Sequence, residues 1–193
     1  MKSLKFLCAI IVFIVHASCN NSPKKIAAII NTDTIHFYSV KDFFLSEIKD
    51  IEITPYYIYK IHTKANGGID SISFSKEDFA LFTKQFIACD VNNSLVKNQY
   101  IESVFKDNST KSITLNYSTL NHALPVQNID VLLNEETNKV SRIFIRQSLT
   151  TANASTTILY SWKANKSCMV TTSTIKKDGT KYSEQQYVNW NDK

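Results

Sequence analysis

Ser112-Ile-Thr-Leu-Asn-Tyr-Ser118 is typical of a half-buried β-strand, because apolar and polar side chains alternate along it. In a strand, Ile113, Leu115 and Tyr117 would lie on one face and the polar residues between them on the other. The alternation returns in residues 129–133 and in later segments that short polar turns connect. Consecutive strands with short connections are typical of an antiparallel meander.

The remaining strands are predicted on both sides of this stretch from residue composition and turn signals. Aromatic and β-branched residues indicate a strand over residues 56–63, and Asn66-Gly67-Gly68 indicates a turn back into a partner strand over 69–74. Lys177-Asp178-Gly179 indicates another turn near the end of the chain. The other strands are predicted over residues 140–149, 156–162, 167–175 and 181–190.

Two amphipathic helices are predicted before the meander. The segments Ser39-Val40-Lys41-Asp42 and Ser75-Lys76-Glu77-Asp78 both resemble capping boxes, which satisfy free N–H groups in a first helical turn. Apolar residues follow each segment at spacings of three and four, namely Phe44, Ile48 and Ile51, and then Phe79, Phe82 and Phe86. We therefore predict an α+β domain with two amphipathic helices packed on a curved, mainly antiparallel β-meander of about six to eight strands.

Residues 1–18 are predicted to be a lipoprotein signal peptide that takes no part in the fold. Two lysines precede an apolar run over residues 6–15, which is too short to cross a bilayer. His16-Ala17-Ser18-Cys19 resembles the lipobox of bacterial lipoproteins, although His16 stands where that family usually has an aliphatic residue. The resemblance implies cleavage before Cys19 and its acylation, as with palmitate. The alternatives are an ordinary signal peptide cut nearby and an uncleaved anchor.

The same resemblance predicts where the protein lies. Residues 19–25 would be the lipidated cysteine and a short tether, and residues 26–193 a single α+β domain. Two or more acyl chains hold a protein stably on a membrane. The tether is basic, whereas surface-exported lipoproteins of Bacteroidota carry an acidic stretch there, and Asn20 replaces the aspartate of the inner-membrane retention signal known from enterobacteria. We expect a protein of the bacterial cell envelope, anchored in the outer membrane and facing the periplasm.

Several kinds of chemistry find no support in the sequence. With three glycines, two of them adjacent, the chain has no phosphate-binding glycine motif. The histidines are widely spaced, and no serine or cysteine lies in a known nucleophile motif. The net charge of +5 is modest and unclustered, which argues against a nucleic acid as partner. We predict no catalytic residue, no metal and no cofactor.

Cys89 and Cys168 are the two cysteines that would remain after processing and lipidation. In an oxidising envelope they either form a disulfide or remain buried as free thiols. The sequence leaves both alternatives open, because it does not show whether the two Cα atoms lie within bridging distance.

Four residues form the candidate ligand or partner face. On a strand, Arg142 and Arg146 would point the same way on either side of Phe144, as an anion or carboxylate site or as a solvated face. Tyr160 and Trp162 would share a face of the next strand, where they would contact an apolar ligand or a protein, or else form core.

The run from Asp42 to Trp190 resembles a large group of uncharacterised Bacteroidota lipoproteins. The pieces that carry the resemblance are Phe44-Leu45-Ser46-Glu47, the segment from Phe82 to Phe86, Asp90-Val91-Asn92-Asn93, and the strands that follow. The group usually has a proline after that segment, where this chain has Ser94 and Leu95. The resemblance implies a helix-plus-meander domain and attaches no activity. We expect a lipid-anchored protein with a non-enzymatic binding or scaffold role. The alternative is a carrier of an apolar ligand, such as a lipid or a lipoprotein, within the curved sheet.

Overall fold

Two α-helices, one short 3-10 helix (Lys97–Gln99) and nine strands make up the computed structural model, which describes residues 37–191. The predictions for the signal peptide, Cys19 and the tether therefore lie outside the described residues. Helix α1 spans Val40–Ile53 and α2 spans Lys76–Ile87. The strands are β1 (Tyr59–Thr63), β2 (Ile69–Ser73), β3 (Ile101–Asp107), β4 (Ser112–Ser118), β5 (Val126–Asn134), β6 (Val140–Thr150), β7 (Ala154–Lys163), β8 (Ser167–Lys176) and β9 (Lys181–Asn189).

All nine strands belong to one antiparallel sheet. Its order is β2-β1-β9-β8-β7-β6-β5-β4-β3, so the chain meanders from β3 to β9 and the early hairpin β1–β2 joins at β9. The predicted α+β class is confirmed, but the predicted count of about six to eight strands is too low. The additional strand, β3, shows no apolar–polar alternation, because it lies at the edge of the sheet and is exposed on both faces.

Both helices begin where the capping segments predict. The Oγ atom of Ser39 accepts a hydrogen bond from the N–H of Asp42 at 3.3 Å, and that of Ser75 accepts one from the N–H of Asp78 at 3.0 Å. Each bond satisfies an N–H group that has no partner within its helix. Helix α1 ends at Ile53, just before Pro55, whose ring disfavours helical geometry in the residue before it.

The predicted turns at Gly67 and Gly179 are also present. Gly67 has φ of 82° and Gly179 has φ of 84°, a left-handed conformation that side chains with a Cβ rarely adopt. Gly67 lies between β1 and β2, and Gly179 lies between β8 and β9. The predicted return strand is present, and the register of this hairpin pairs Ile61 with Ser71.

Aromatic rings fill the space between the helices and the sheet. Phe44 of α1 and Phe86 of α2 each lie 5.1 Å, between ring centroids, from Trp162 of β7. Phe79 contacts Trp190 at 5.4 Å, and Trp162 contacts the same ring at 5.3 Å. Burying each of these rings is worth about 1.5–3 kcal/mol, so this cluster is a main source of stability.

The segment after α2 is hydrogen-bonded to the residues just before α1 and so stabilises the start of that helix. The side-chain amide of Asn92 donates to the carbonyl oxygens of Phe37 and Tyr38 at 3.4 and 3.2 Å. The Oδ1 atom of Asp90 accepts the N–H of Asn92 at 3.3 Å, which shapes the turn. These residues belong to the Asp-x-Asn segment of the sequence, and their contacts give that segment a structural role.

Candidate binding face of the sheet

The two faces of the sheet differ in what covers them. Both helices pack on the face that carries Tyr160 and Trp162. The opposite side of β5, β6 and β7, which we call the open face, carries three central residues of β6, namely Arg142, Phe144 and Arg146. Strand alternation turns Ile143 and Ile145 into the core, where both are almost fully buried, and leaves Phe144 37% exposed.

The register identifies the neighbours of these residues on the open face. Phe144 lies between Asp130 of β5 and Ser161 of β7. Arg146 lies in the same way between Asn128 and Leu159, and Leu159 is exposed. The open face therefore combines exposed apolar side chains with two guanidinium groups.

The two arginines have no acidic partner within residues 37–191, where ion pairs of other side chains are present. The guanidinium carbon of Arg142 lies 5.4 Å from the centroid of the Phe144 ring, which is a cation–π contact. Lys163 lies opposite Arg142 on β7 and adds a further positive charge. This part of the open face is thus positively charged and retains its capacity to bind carboxylates.

Asp130, the acidic residue opposite Phe144, already accepts hydrogen bonds from side-chain amides. Asp130 accepts a hydrogen bond from Asn116 Nδ2 on Oδ1 at 2.6 Å and one from Asn128 Nδ2 on Oδ2 at 2.8 Å. Asn116 also donates to Asn128 Oδ1 at 2.8 Å. This network orients three side chains across β4 and β5 without using the arginines. Sequence reasoning did not single out these residues, although all three are polar positions in alternating strands.

The structure does not bring together the four residues of the predicted face. Arg142 and Arg146 lie on the open face, whereas Tyr160 and Trp162 are buried under the helices at 5% and 0% exposure. The reason is the register, which pairs Ile145 with Tyr160 and Ile143 with Trp162. The two aromatic residues are therefore core residues.

The buried aromatic side chains have internal hydrogen-bond partners. Tyr160 donates its hydroxyl hydrogen to Gln147 Oε1 at 3.1 Å. Trp162 donates its indole N–H to Glu47 Oε2 at 3.2 Å. Burial raises the pKa of Tyr160 above its ordinary value. These groups are occupied within the protein, and they are not available to an external ligand.

Cys89 and Cys168 are both free and buried, so the structure contains the thiol alternative and not the disulfide. The Sγ atom of Cys89 donates to Gln85 O at 3.2 Å and accepts from Gln147 Nε2 at 3.1 Å. Burial raises the pKa of Cys89 to about 12, and it also raises the pKa of Cys168. Both groups are protonated at neutral pH and are poor nucleophiles.

Within residues 37–191, no group of three or more His, Cys, Asp or Glu side chains could hold a metal ion. The two described histidines belong to separate contacts. His62 Nε2 lies 3.5 Å from Glu184 Oε2, and His122 Nδ1 lies 3.2 Å from Gln127 Oε1. No helix among the described residues is long and apolar enough to span a membrane.

The open face can bind by charge and by apolar contact. Its guanidinium groups offer N–H donors that suit carboxylates, and Phe144 and Leu159 offer apolar area beside them. The carboxylate of Asp130 and the amides of Asn116 and Asn128 are already hydrogen-bonded to one another. Comparison of the chain with protein-family models, curated proteins and solved structures gives no match.

Proposed function

We propose that this protein is anchored to the bacterial cell envelope through Cys19 and binds an acidic protein partner on the open face, without catalysing a reaction. The observation that carries the proposal is the pair Arg142 and Arg146, which flank exposed Phe144 and have no ion-pair partner within residues 37–191. Arginine and aromatic residues are enriched in protein interfaces, and arginine binds carboxylates in a bidentate manner.

The form of the face favours a protein over a small molecule. The candidate residues lie on neighbouring strands β5, β6 and β7 and project from one side of a sheet. Small ligands are usually held in concave pockets that bury most of their surface, whereas a protein partner covers a broad face. The proposed role is therefore binding or scaffolding at the membrane.

The carrier alternative receives less support. A ligand between the helices and the sheet would have to displace rings such as Phe44, Phe86 and Trp162, which contact one another at 5.1–5.6 Å between centroids. Interiors of this kind are packed as closely as organic crystals. A test for this alternative is native mass spectrometry of the gently purified protein, in which a co-purifying lipid would favour it over the protein-binding role.

Charge reversal on the open face tests the proposed partner site. Affinity isolation from detergent-solubilised envelopes is compared for the wild type, Arg142→Glu/Arg146→Glu, and Lys41→Glu/Lys49→Glu as matched control. The control changes two exposed lysines of α1 and alters the net charge equally. We expect the wild type and the control to retain the same bound protein and the arginine variant to lose it. Retention of that protein by all three would contradict the proposal.

Radioactive or clickable palmitate tests the anchor. Cys19→Ser should abolish labelling, because the resemblance assigns acylation to this thiol. Cys8→Ser is the matched control, since Cys8 belongs to the predicted signal peptide and should not alter labelling of the mature protein. Equal labelling of the wild type and Cys19→Ser would refute the anchor. The binding face is tested separately, by the affinity isolation with the arginine variant.

A further inference from the structure

Strand β3 is an end strand with an unusual surface. Its outer edge pairs with no other strand within residues 37–191. Ile101, Val104 and Phe105 are 63%, 62% and 66% exposed. The strand is seven residues long, pairs with β4 without a bulge and contains no proline. Edge strands of monomeric proteins are often short or interrupted by a bulge or a proline, and β3 has none of these three features. It does carry charges, at Glu102 and Lys106, so the edge is suited to a strand whose charges complement them.

The hydrogen bonds of β4 show which backbone groups of β3 point outward. At the two ends of the β4–β5 pair, Thr119 N–H donates to Gln127 O and Glu135 N–H donates to Lys111 O. Every second residue of an antiparallel strand bonds to the same neighbour, so the backbone N–H and C=O groups of the odd-numbered β4 residues point at β5. The backbone groups of the even-numbered β4 residues therefore point at β3, where they bond to odd-numbered residues. The outward N–H and C=O groups of β3 therefore belong to Glu102, Val104 and Lys106.

The charges of these three residues complement those of the same segment in a second copy that runs in the opposite direction. If a second β3 lies antiparallel with Val104 opposite Val104, Glu102 of each copy lies opposite Lys106 of the other. All outward backbone groups of the three residues are then paired across the junction. Opposite charges directly across a strand pair are stabilising. On the other side of the ribbon, Phe105 of one copy lies diagonal to Ile101 and Phe105 of the other, which covers exposed apolar area.

The opposite edge of the sheet lacks this complementarity. Beside the β1–β2 pair, Lys64 N–H donates to Gly68 O and Phe74 N–H donates to Ile58 O, so the backbone groups of even-numbered β2 residues point at β1. The outward backbone groups of β2 therefore belong to Ile69, Ser71 and Ser73. A reversed second copy would place Asp70 opposite Ile72.

We infer that the protein forms a two-fold symmetric dimer in which β3 of two copies pair in antiparallel orientation about Val104, so that one sheet continues through both molecules. The Nζ atom of Lys106 lies 2.5 Å from Glu135 Oε1. With 54% of its side chain exposed, it has room for a second carboxylate from Glu102 of the other copy. An interface of this kind uses the same patch on both copies and closes on itself.

Cross-linking of the full chain in membranes tests this dimer. Cys89 and Cys168 are buried, so a short bismaleimide would react at a cysteine introduced on the edge. Val104→Cys should give a cross-linked dimer. Ser71→Cys, at the corresponding outward position of β2, is the matched control and should give none, like the wild type. Equal yields from the two variants would show that cross-linking reflects random encounters of crowded molecules. No product from Val104→Cys would show that a second copy of β3 does not cover this edge. Either result would overturn the inference.

Charge exchange tests the register within the same assay. In the Val104→Cys background, Glu102→Lys places lysine opposite lysine and should lower the cross-linking yield about tenfold. Adding Lys106→Glu restores opposite charges across the junction and should recover part of the yield, because Lys106 also pairs with Glu135 of its own copy and that ion pair is lost. Protease resistance of the domain shows whether each variant is folded. A folded Glu102→Lys variant with an unchanged yield, or a folded double variant without recovery, would refute the proposed register.

Discussion

Glu47 joins α1 to the turn between β7 and β8 through one oxygen atom. Its Oε2 accepts the indole N–H of Trp162 at 3.2 Å and the backbone N–H of Asn165 at 2.7 Å. Asn165 has φ of 56°, which is uncommon for a residue other than glycine. The carboxylate thereby holds a left-handed turn and a buried ring in place, although nothing in the helical pattern of the sequence distinguishes Glu47.

Replacing Glu47 with alanine should destabilise the protein by about 1–3 kcal/mol, because the buried indole N–H of Trp162 would lose its acceptor. Glu47→Gln should cost less, since its amide oxygen still accepts a hydrogen bond. Urea unfolding followed by tryptophan fluorescence measures the difference. Glu52→Ala is the matched control, as Glu52 is exposed on the same helix. Equal midpoints for Glu47→Ala and the control would contradict the role given to Glu47.

Helix α2 is held to the sheet by one face, and its other face is exposed. Phe86 is fully buried and contacts both Tyr160 and Trp162, whereas Leu81 of the same helix is exposed. Phe86→Ala should lower the free energy of unfolding by about 3–5 kcal/mol, since it removes the ring and leaves a cavity. Leu81→Ala should change it by about 0.5 kcal/mol or less. Chemical denaturation of both variants makes the comparison. A small effect of Phe86→Ala would show that the helix packs elsewhere.

The elements that could be predicted from the sequence are those with a local signal. Capping serines and apolar residues at helical spacing predicted both helices, and alternation, β-branched composition and turn signals predicted eight of the nine strands. Strand β3 escaped prediction because a strand exposed on both faces has no reason to alternate. The pairing of β1 with β9 could not be read from the sequence, since it joins segments at opposite ends of the domain.

The candidate site was predictable only in part, for a related reason. Alternation shows that Arg142 and Arg146 share a face of β6, and the register bears this out. It does not show which face the helices cover, so Tyr160 and Trp162 remained candidates for ligand contact although they are core. Asp130 and its amide partners come together only through the pairing of β4 with β5.

The sheet divides the described residues into a packed side and an open side. The packed side holds the helices, the aromatic cluster and both free cysteines. The open face carries unpaired positive charge, and the β3 edge carries unpaired backbone groups. A partner on the open face and a second copy on the β3 edge would contact different strands of the sheet, and neither would compete with the core.

The buried thiol and phenol groups predict how stability depends on pH. Burial raises the pKa of Cys89 from 9.0 to about 12 and that of Tyr100 from 10.0 to about 12. Because the folded state holds these protons more tightly than the unfolded state, their contribution to stability is complete below about pH 9. It is lost as the pH rises towards about 12, where the folded groups themselves ionise.

We therefore expect the urea midpoint to be level between about pH 7 and 8.5 and to fall progressively between about pH 9 and 11. Cys89→Ala should make the fall shallower, because it removes one of the groups whose ionisation opposes folding. Its midpoint at pH 7 provides the reference for any loss of packing. A wild-type midpoint that stays level or rises up to pH 11 would contradict the assignment of these groups as protonated core residues.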